Sequence, residues 1–392
     1  MDAGKNLEIE YLRAVAVLMT CFSHLTLLLP FHVLSLNSIY SIYMPWSGVD
    51  LFFCISGFVV SKSLVEYLDA HRGNGTFWLA AQCFWIRRFY RLTPSAWLWL
   101  TLVILCSIFF NTTNAFSSPY QNLRSAAAIV TMTANLASQY DNILGANLIY
   151  WSLALEEQFY LLFPLFLLVT PGRWRWRVLL VLITAQFFVE RNIHVAPVAS
   201  MAFVFRLDAM MWGVLVYFFS KTRQYALFEP TFLKRSHGTA WAINLLMFSL
   251  LGTIAAQMIE MPIAVGLIAL VSALLVLLAS YQHSYVCNIP LFSHTLAWLG
   301  ARSYAIYLIH VPVYRFCVEG WTRYVAQTGH LLDGTFTLHM LFSAVLLTLV
   351  LADLNYRFVE EPLRKRGTAI AARRMAKASV ENGPRCLPRE AH

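Results

Sequence analysis

The segment YLRAVAVLMTCFSH, Tyr11–His24, is an apolar run that carries Arg13 near its start and His24 at its end. His24 follows Arg13 by eleven positions, which amounts to about three turns of helix and roughly 16 Å along its axis. A helix here would present both groups on nearly the same face, at different depths. Because ionisable side chains inside an apolar span are functional candidates, the segment predicts a membrane span with two functional groups.

The composition extends this interpretation to the whole chain. The 392 residues are 59% hydrophobic and 12% charged, with a mean hydropathy of +0.59, whereas soluble domains carry about 25% charge. We therefore expect an all-α integral membrane protein. Glu8 and Glu10 precede the first apolar run and no small-residue cleavage site follows it, so we expect this span to be retained. The net charge of +9 lies largely in short loops and in the residues after Arg364, which indicates membrane orientation and not nucleic-acid binding.

About ten transmembrane helices are predicted, and the Arg and Lys bias of the loops favours both termini inside. The predicted spans are residues 7–29, 46–67, 88–110, 148–169, 178–190, 201–220, 238–258, 262–280, 296–318 and 335–355. We interpret residues 123–138, in the long outer loop 111–147, as an interfacial or re-entrant piece. We expect residues 1–366 to form one transmembrane domain, and residues 367–392 to form a basic, loosely ordered cytoplasmic tail. The seven cysteines show no paired spacing, so neither a disulfide framework nor a metal site is expected.

Ionisable side chains from five predicted spans fall at one level of the outer leaflet when depth is counted along each helix. These side chains are His24, Asp50, Glu156 and Glu157, Asp208, and His310. Ser152, Glu156 and Tyr160 share a face at four-residue spacing, whereas Glu157 points about 100° away. We therefore expect Glu156 to face the site. His24 is equally compatible with a hydrogen-bonded core histidine, and Asp50 with a helix cap.

A second cluster is basic and lies at the predicted cytoplasmic mouth of the third span. The segment FWIRRFYRLTP, Phe84–Pro94, contains Arg87, Arg88 and Arg91. Arg88 and Arg91 are three residues apart and share a face that suits phosphate groups. The same spacing is typical of an ordinary inner-face basic cluster, and Arg13 is compatible with an ion pair to Glu8 or Glu10.

Six motifs in this order resemble the acyltransferase 3 family of integral membrane acyltransferases, over roughly residues 7–366. They are LEIEYLRAVAVLMTCFSH, which holds the arginine, ten residues, histidine pattern at Arg13 and His24; GVDLFFCISGF, Gly48–Phe58; RFYR, Arg88–Arg91; WSLALEEQFYLLFP, Trp151–Pro164; LGARSYAIYLIHVPV, Leu299–Val313; and FVEEP, Phe358–Pro362. The chain departs from the family pattern at Glu10-Tyr11, where Asp-Gly is usual, and at Ala301, where a bulkier polar residue is common.

The resemblance implies a bacterial inner-membrane enzyme with ten core helices that O-acylates surface polysaccharides, lipid-linked glycans, nodulation factors or macrolides. It implies that His24 is the catalytic histidine and that Arg13 serves acyl-CoA binding or transfer. Arg88 and Arg91 would be the cytoplasmic arginine motif. The donor would be acyl-CoA on the cytoplasmic side, and the acceptor a hydroxyl on the periplasmic side.

The resulting hypothesis is a membrane O-acyltransferase that moves an acyl group, with acetyl expected, from cytoplasmic acyl-CoA to a hydroxyl of a carbohydrate or glycoconjugate. We expect neutral His24 to take the acceptor's proton while Glu156 orients its imidazole; an acyl-histidine intermediate is the variant. No bound cofactor is expected, and the oligomeric state stays open. The candidates are catalytic His24, Glu156 and Glu157; acyl-CoA-binding Arg13, Arg87, Arg88 and Arg91; and acceptor-binding Asp50, Tyr304, Tyr307 and His310. The alternative is a proton-coupled transporter or flippase of a polar glycoconjugate, because acids and histidines at one membrane level also suit proton coupling.

Overall fold

The structure is a computed structural model, and it describes residues 6–29, 34–139, 143–189, 191, 204–286 and 292–381. Within these ranges every regular element is a helix and none is a strand, which confirms the all-α prediction for them. The longer helices are labelled α1 Leu7–Ser23, α2 Gly48–Gly73, α3 Phe77–Phe109, α4 Tyr150–Val169, α5 Gly172–Phe187, α6 Asp208–Ser220, α7 His237–Ala256, α8 Ala264–Ser280, α9 Ser303–Gln327, α10 Thr337–Asn355 and α11 Glu361–Glu381. Shorter helices include Leu25–Leu28, Leu34–Ile42, Pro119–Val130, Ala134–Ala137, Gln224–Leu227, Phe232–Arg235 and Ser293–Ala301.

Several of these helices can cross a bilayer, so the chain is a multi-pass membrane protein. Five helical stretches in the described part of the chain are long and apolar enough by length and composition: Pro45–Gly73, Phe77–Phe109, Tyr150–Val169, His237–Ala256 and Gly334–Ala378. α6 and α8 are apolar but shorter. The count of ten spans and the inward direction of both termini stay predictions. Residues 190 and 201–203 of the predicted spans lie outside the described ranges.

The start of α1 is fixed by polar contacts that the sequence makes available. Asn6 caps the helix by accepting from the backbone N–H groups of Glu8 and Ile9. The carboxylate of Glu8 accepts from the backbone N–H groups of Ser284 and Val286, at 2.9 and 2.8 Å, and so ties α1 to the loop after α8. These contacts hold the first turn of the helix that carries Arg13.

Two predicted spans are interrupted, and one begins earlier than expected. α1 ends at Ser23 and the chain turns at His24 before the short helix Leu25–Leu28, so the first span is not one continuous helix. The predicted span 296–318 breaks at Arg302, where Nε donates to Asp353 at 2.6 Å. α3 begins at Phe77 and not at residue 88, because nothing between these positions breaks the helix.

The long loop and the tail also have regular structure. The helix Pro119–Val130 has 12 residues and spans about 18 Å, which is too short to cross a bilayer of about 30 Å, so the interfacial interpretation of this region fits its length. Residues 361–381 form α11, although we expected residues 367–392 to be loosely ordered. α11 packs on α3, with Gly367 against the ring of Tyr90, and this contact gives the tail a surface on which to remain helical. Residues 382–392 lie outside the described ranges.

α2 and α6 pack with their backbones in close approach because each has a glycine at the crossing. A Cβ added at Gly57 would lie 2.0 Å from the carbonyl oxygen of Met210, and one at Gly213 would lie 2.1 Å from that of Cys54. A methyl group cannot fit at either position unless the helices move apart. The two glycines therefore set the separation of α2 and α6, and α2 also lines the internal cavity described below.

We expect Gly57→Ala to lower the free energy of unfolding by about 1–3 kcal/mol, because overpacking against a backbone forces the helices apart. Thermal unfolding of the purified protein in detergent measures the change as a lower Tm. Gly73→Ala is the matched control on the same helix, since a Cβ there would meet nothing within 4 Å. Equal Tm values for the two variants would contradict the packing argument.

Candidate active site

An internal cavity lies between α1, α2, α3, α4 and α9. This cavity, here called the inner cavity, has a volume of about 80 Å³. It is lined by Arg13, Val49, Phe52, Phe53, Ile55, Ser56, Val59, Val60, Arg88, Arg91, Leu92, Ser152, Leu153, Glu156, Tyr160, Ser303, Tyr304 and Tyr307. A second cavity of about 410 Å³, here called the vestibule, adjoins it at the Asn6 end of α1. The two share Arg13, Val59, Arg91, Ser303 and Tyr304, so they form one route into the bundle.

The vestibule has a basic lining. Its charged side chains are Glu10, Arg13, Lys62, Arg91, Glu360 and Arg364, four basic and two acidic. Arg13 Nη1 donates to Glu10 Oε1 at 2.9 Å, so the ion pair considered from the sequence is formed. Arg13 nevertheless lines both cavities, and pairing does not remove it from the site. The lining favours an anionic ligand at this end of the bundle.

Arg88 and Arg91 enter the cavity, as their shared helical face predicts. The Arg88 guanidinium lies over the rings of Tyr160, 4.8 Å from its centroid, and Phe84, at 5.3 Å. Arg91 Nε is buried and makes no hydrogen bond with any described residue. Arg87 lies instead over the ring of Tyr67, at 5.5 Å, and lines neither cavity, because one residue along α3 turns its side chain about 100° away.

Glu156 and Glu157 lie in different places. Glu156 lines the inner cavity, where its Oε1 accepts from Ser56 Oγ at 2.5 Å and from the Tyr160 hydroxyl. Glu157 lines a smaller neighbouring cavity of about 20 Å³ beside Tyr150 and does not line the inner cavity. The geometry thus agrees with the helical-face argument for Glu156. Glu157 was also among the catalytic candidates, but one residue along α4 turns its side chain about 100° away from the inner cavity.

His24 pairs with His310, which lies 286 residues away in the sequence. Their Nδ1 and Nε2 atoms are 3.0 Å apart, and His310 Nδ1 lies 2.6 Å from the carbonyl oxygen of Tyr307. A carbonyl only accepts hydrogen bonds, so His310 Nδ1 carries the hydrogen, and with both rings neutral its Nε2 accepts from His24 Nδ1. This chain of hydrogen bonds leaves the lone pair on His24 Nε2, which is the atom that can act as a base.

The hypothesis that Glu156 orients His24 is therefore corrected. His310 is the hydrogen-bond partner of the His24 ring, while Glu156 bonds to Ser56 and Tyr160. The depth argument failed because residues at one level of a bundle can face different neighbours. The turn at His24 adds to this, since its side chain follows the end of α1 and not the regular progression of the helix.

The four residues expected to bind the acceptor do not share one surface. Tyr304 donates to the carbonyl oxygen of Leu92 at 2.6 Å, and Tyr307 bonds to Ser152 Oγ at 2.5 Å. Both tyrosines line the inner cavity, on the same side of the histidine pair as the arginines. His310 is fully buried behind Tyr307, with ring centroids 5.8 Å apart. Tyr304, Tyr307 and His310 follow one another at three-residue steps along α9. The two tyrosines line the inner cavity, whereas His310 belongs to the histidine pair.

Asp50 and Asp208 belong to a buried ionic cluster. Asp208 pairs with Arg191 at 2.7 Å, and Asp50 lies 3.7 Å from Arg206. The Arg206 guanidinium lies over the ring of Trp46, 4.9 Å from its centroid, and over the ring of Trp151, 4.7 Å from its centroid. Burial of a carboxylate requires a counter-ion, so these aspartates are held by arginines that the depth argument did not include.

Two further charged residues near the site were not singled out from the sequence. Glu360, in the FVEEP motif, lines the vestibule, and its Oε2 is buried with no hydrogen bond to a described residue. Arg315, five residues after His310 on α9, has a buried Nε without a hydrogen bond in the described part of the chain. The FVEEP motif could have pointed to Glu360, whereas Arg315 lies outside all six motifs.

These features define a multi-pass membrane protein with a charged cavity inside its helical bundle. The profile of the family described as an acyltransferase domain matches residues 6–357, and the chain belongs to that family. The resemblance drawn from the six motifs is thereby confirmed. No solved structure matches the chain.

Curated relatives cover most of this chain. The peptidoglycan O-acetyltransferase OatA of Listeria monocytogenes is 27% identical over 346 residues, which are 82% of this chain and 51% of that protein. YrhL of Bacillus subtilis, named as a candidate peptidoglycan O-acetyltransferase, is 26% identical over 361 residues, 84% of this chain and 52% of its own length. A candidate O-acetyltransferase of Staphylococcus aureus is 25% identical over 344 residues, covering 82% and 53%. The chain spans about half the length of the curated relatives it matches.

Proposed function

We propose that this protein is a membrane O-acyltransferase that moves an acyl group, acetyl in the first instance, from acyl-CoA to a hydroxyl of a carbohydrate acceptor. The observation that carries the proposal is a basic cavity that leads along α1 toward a histidine pair. The family supports acyl transfer, and the names of the relatives support a glycan acceptor in the bacterial cell envelope. The reaction would be a polysaccharide modification at the inner membrane.

The vestibule and the arginines of the inner cavity would hold the donor. Arg13, Arg88 and Arg91 line a route whose charge suits the phosphates of CoA, and a planar guanidinium binds phosphate in bidentate fashion. With both termini inside, the vestibule opens to the cytoplasm, where acyl-CoA is made. The acceptor hydroxyl then approaches His24 from the opposite side of the membrane.

The chemistry needs a base for the acceptor hydroxyl. In the proposed step the hydroxyl oxygen forms a bond to the acyl carbon while His24 Nε2 takes the hydroxyl proton. The carbon–sulfur bond then breaks, the CoA sulfur leaves with the electron pair, and the proton on His24 neutralises the thiolate. The variant is attack by His24 Nε2 on the thioester first, followed by transfer from an acyl-histidine to the hydroxyl.

His310 would support either course as a positioning residue. It fixes the His24 tautomer through the 3.0 Å hydrogen bond, and it can accept that proton more strongly once His24 becomes positively charged. Glu156 would have a different role, because it lies among Arg13, Arg88 and Tyr160 in the inner cavity. There its carboxylate would orient the arginines and the donor arm.

We expect Arg88→Gln to raise the KM for acetyl-CoA about 10- to 100-fold, since a hydrogen bond to a charged group contributes about 1.5–3 kcal/mol. Initial rates of purified protein in lipid nanodiscs, at varied acetyl-CoA concentration, measure the change. Arg87→Gln is the matched control, because Arg87 neighbours Arg88 in sequence yet lines neither cavity. Equal KM values for both variants would contradict the donor site.

The proposed function itself is tested by supplying labelled acetyl-CoA and a peptidoglycan-derived oligosaccharide to the purified protein in nanodiscs. We expect an alkali-labile acetyl ester on the oligosaccharide, formed together with free CoA. Absence of an ester and of CoA release would argue against transferase activity. Uptake of a glycoconjugate by reconstituted vesicles, without chemical change, would instead support the transporter alternative.

A further inference from the structure

The inner cavity ends at two aromatic rings before it reaches the histidine pair. Along α2 its lining runs from Val60 to Val49, a distance of about 16 Å in a helix. Gly48 packs against Ala16, Met19 and Thr20 of α1, so the deep end lies at the level of Thr20. His24 is four residues farther along, about one helical turn beyond the end of the cavity.

The rings of Phe52 and Tyr307 stand at this deep end. They meet edge to face, with centroids 6.1 Å apart and planes at 77°. Tyr307 also neighbours the His310 ring, with centroids 5.8 Å apart, and His310 lies one helical turn farther along α9. The two rings therefore form a constriction between the inner cavity and the histidine pair, here called the Phe52–Tyr307 constriction.

Hydrogen bonds hold the constriction in a narrow arrangement. The Tyr307 hydroxyl lies 2.5 Å from Ser152 Oγ and 3.2 Å from the carbonyl oxygen of Ile149. Tyr307 is 6% exposed and is enclosed by the bundle core. Because interiors of this kind are close-packed, the ring cannot move aside without breaking these contacts. Phe52 bears no polar group, so it is the side of the constriction that substitution can widen.

We propose that the Phe52–Tyr307 constriction sets the length of the acyl group, admitting acetyl to His24 and excluding longer chains. This inference rests on the proposed function, because it concerns the donor of that reaction. An acyl group within reach of His24 Nε2 lies against the two rings, and each added methylene must fit into the close-packed space that they bound. One methylene in a packed apolar site changes selectivity by roughly 10- to 200-fold, so two rings at contact distance are sufficient for discrimination.

The test is a competition between acetyl-CoA, propionyl-CoA and butyryl-CoA for transfer to one oligosaccharide, with the esters separated by mass. The wild-type protein should form acetyl ester at least tenfold faster than butyryl ester. Phe52→Ala should reduce this ratio tenfold or more, chiefly by faster butyryl transfer. Phe52→Leu, which keeps an apolar side chain of intermediate size, should give a smaller change in the same direction and serves if the alanine variant does not fold.

Phe316→Ala is the control, because Phe316 stacks on Phe110 and is 44% exposed, outside the cavity lining. Its acyl preference should equal that of the wild type. Transfer of acetyl by Phe52→Ala or Phe52→Leu with an unchanged ratio would overturn the inference and leave the proposed function standing. Absence of transfer from every donor by the wild-type protein would reject the proposed function itself.

Discussion

His24→Ala is expected to lower acyl transfer from acetyl-CoA by roughly 10²- to 10⁴-fold, the range that a positioned general base contributes. The loss follows from the geometry, because His24 Nε2 is the atom of the histidine pair that keeps a free lone pair. The affinity for acetyl-CoA should stay within about twofold of wild type, since the donor would be held by arginines elsewhere in the cavity. Turnover and equilibrium binding of labelled acetyl-CoA, measured on one nanodisc preparation, separate the two effects.

A histidine outside the site supplies the control for this variant. His71 bonds through Nδ1 to the carbonyl oxygen of Tyr67 near the end of α2 and lines neither the inner cavity nor the vestibule. His71→Ala should therefore transfer acetyl at the wild-type rate. If His24→Ala turned over acetyl-CoA as fast as His71→Ala, another residue would have to be the base.

His310→Phe is expected to lower turnover by roughly 10²- to 10³-fold, because loss of the group that fixes a catalytic tautomer can cost up to about 10⁴-fold. Phenylalanine keeps the ring but cannot accept the hydrogen from His24 Nδ1. His310→Gln offers an amide oxygen as acceptor and should retain more activity than His310→Phe. Turnover of both variants at saturating acetyl-CoA measures the difference.

This pair of variants separates positioning from packing. Glutamine fits an aromatic environment less well than phenylalanine, so a purely structural role for His310 predicts the better activity for His310→Phe. The positioning role predicts the reverse order. Higher turnover by His310→Phe than by His310→Gln would contradict the assignment of His310.

Helical periodicity predicted the parts of the site that lie on one helix. The shared face of Arg88 and Arg91 and the inward side of Glu156 follow from about 100° per residue. Arg87 was placed among the acyl-CoA-binding candidates, although the same periodicity turns its side chain away from the face of Arg88 and Arg91. The helical class and the apolar segments follow from composition and length. Such features depend on neighbours in sequence, so they are available without a structure.

The features that sequence reasoning missed depend on how helices are packed together. His24 and His310 are 286 residues apart, and depth alone did not show that they meet while Glu156 bonds to Ser56. The turns at His24 and Arg302 are set by tertiary contacts, since the flanking residues are compatible with continuous helices. The arginine partners of Asp208 and Asp50 are Arg191 and Arg206. No periodic pattern in the sequence connects these arginines with the aspartates.

The most direct test of the account is mass spectrometry of cell-envelope glycans from cells that carry the wild-type protein or His24→Ala at matched membrane levels. The account predicts an acetyl-sized mass increment with the wild type, removed by mild alkali, and its loss with His24→Ala. Identical glycan spectra from the two strains would contradict it.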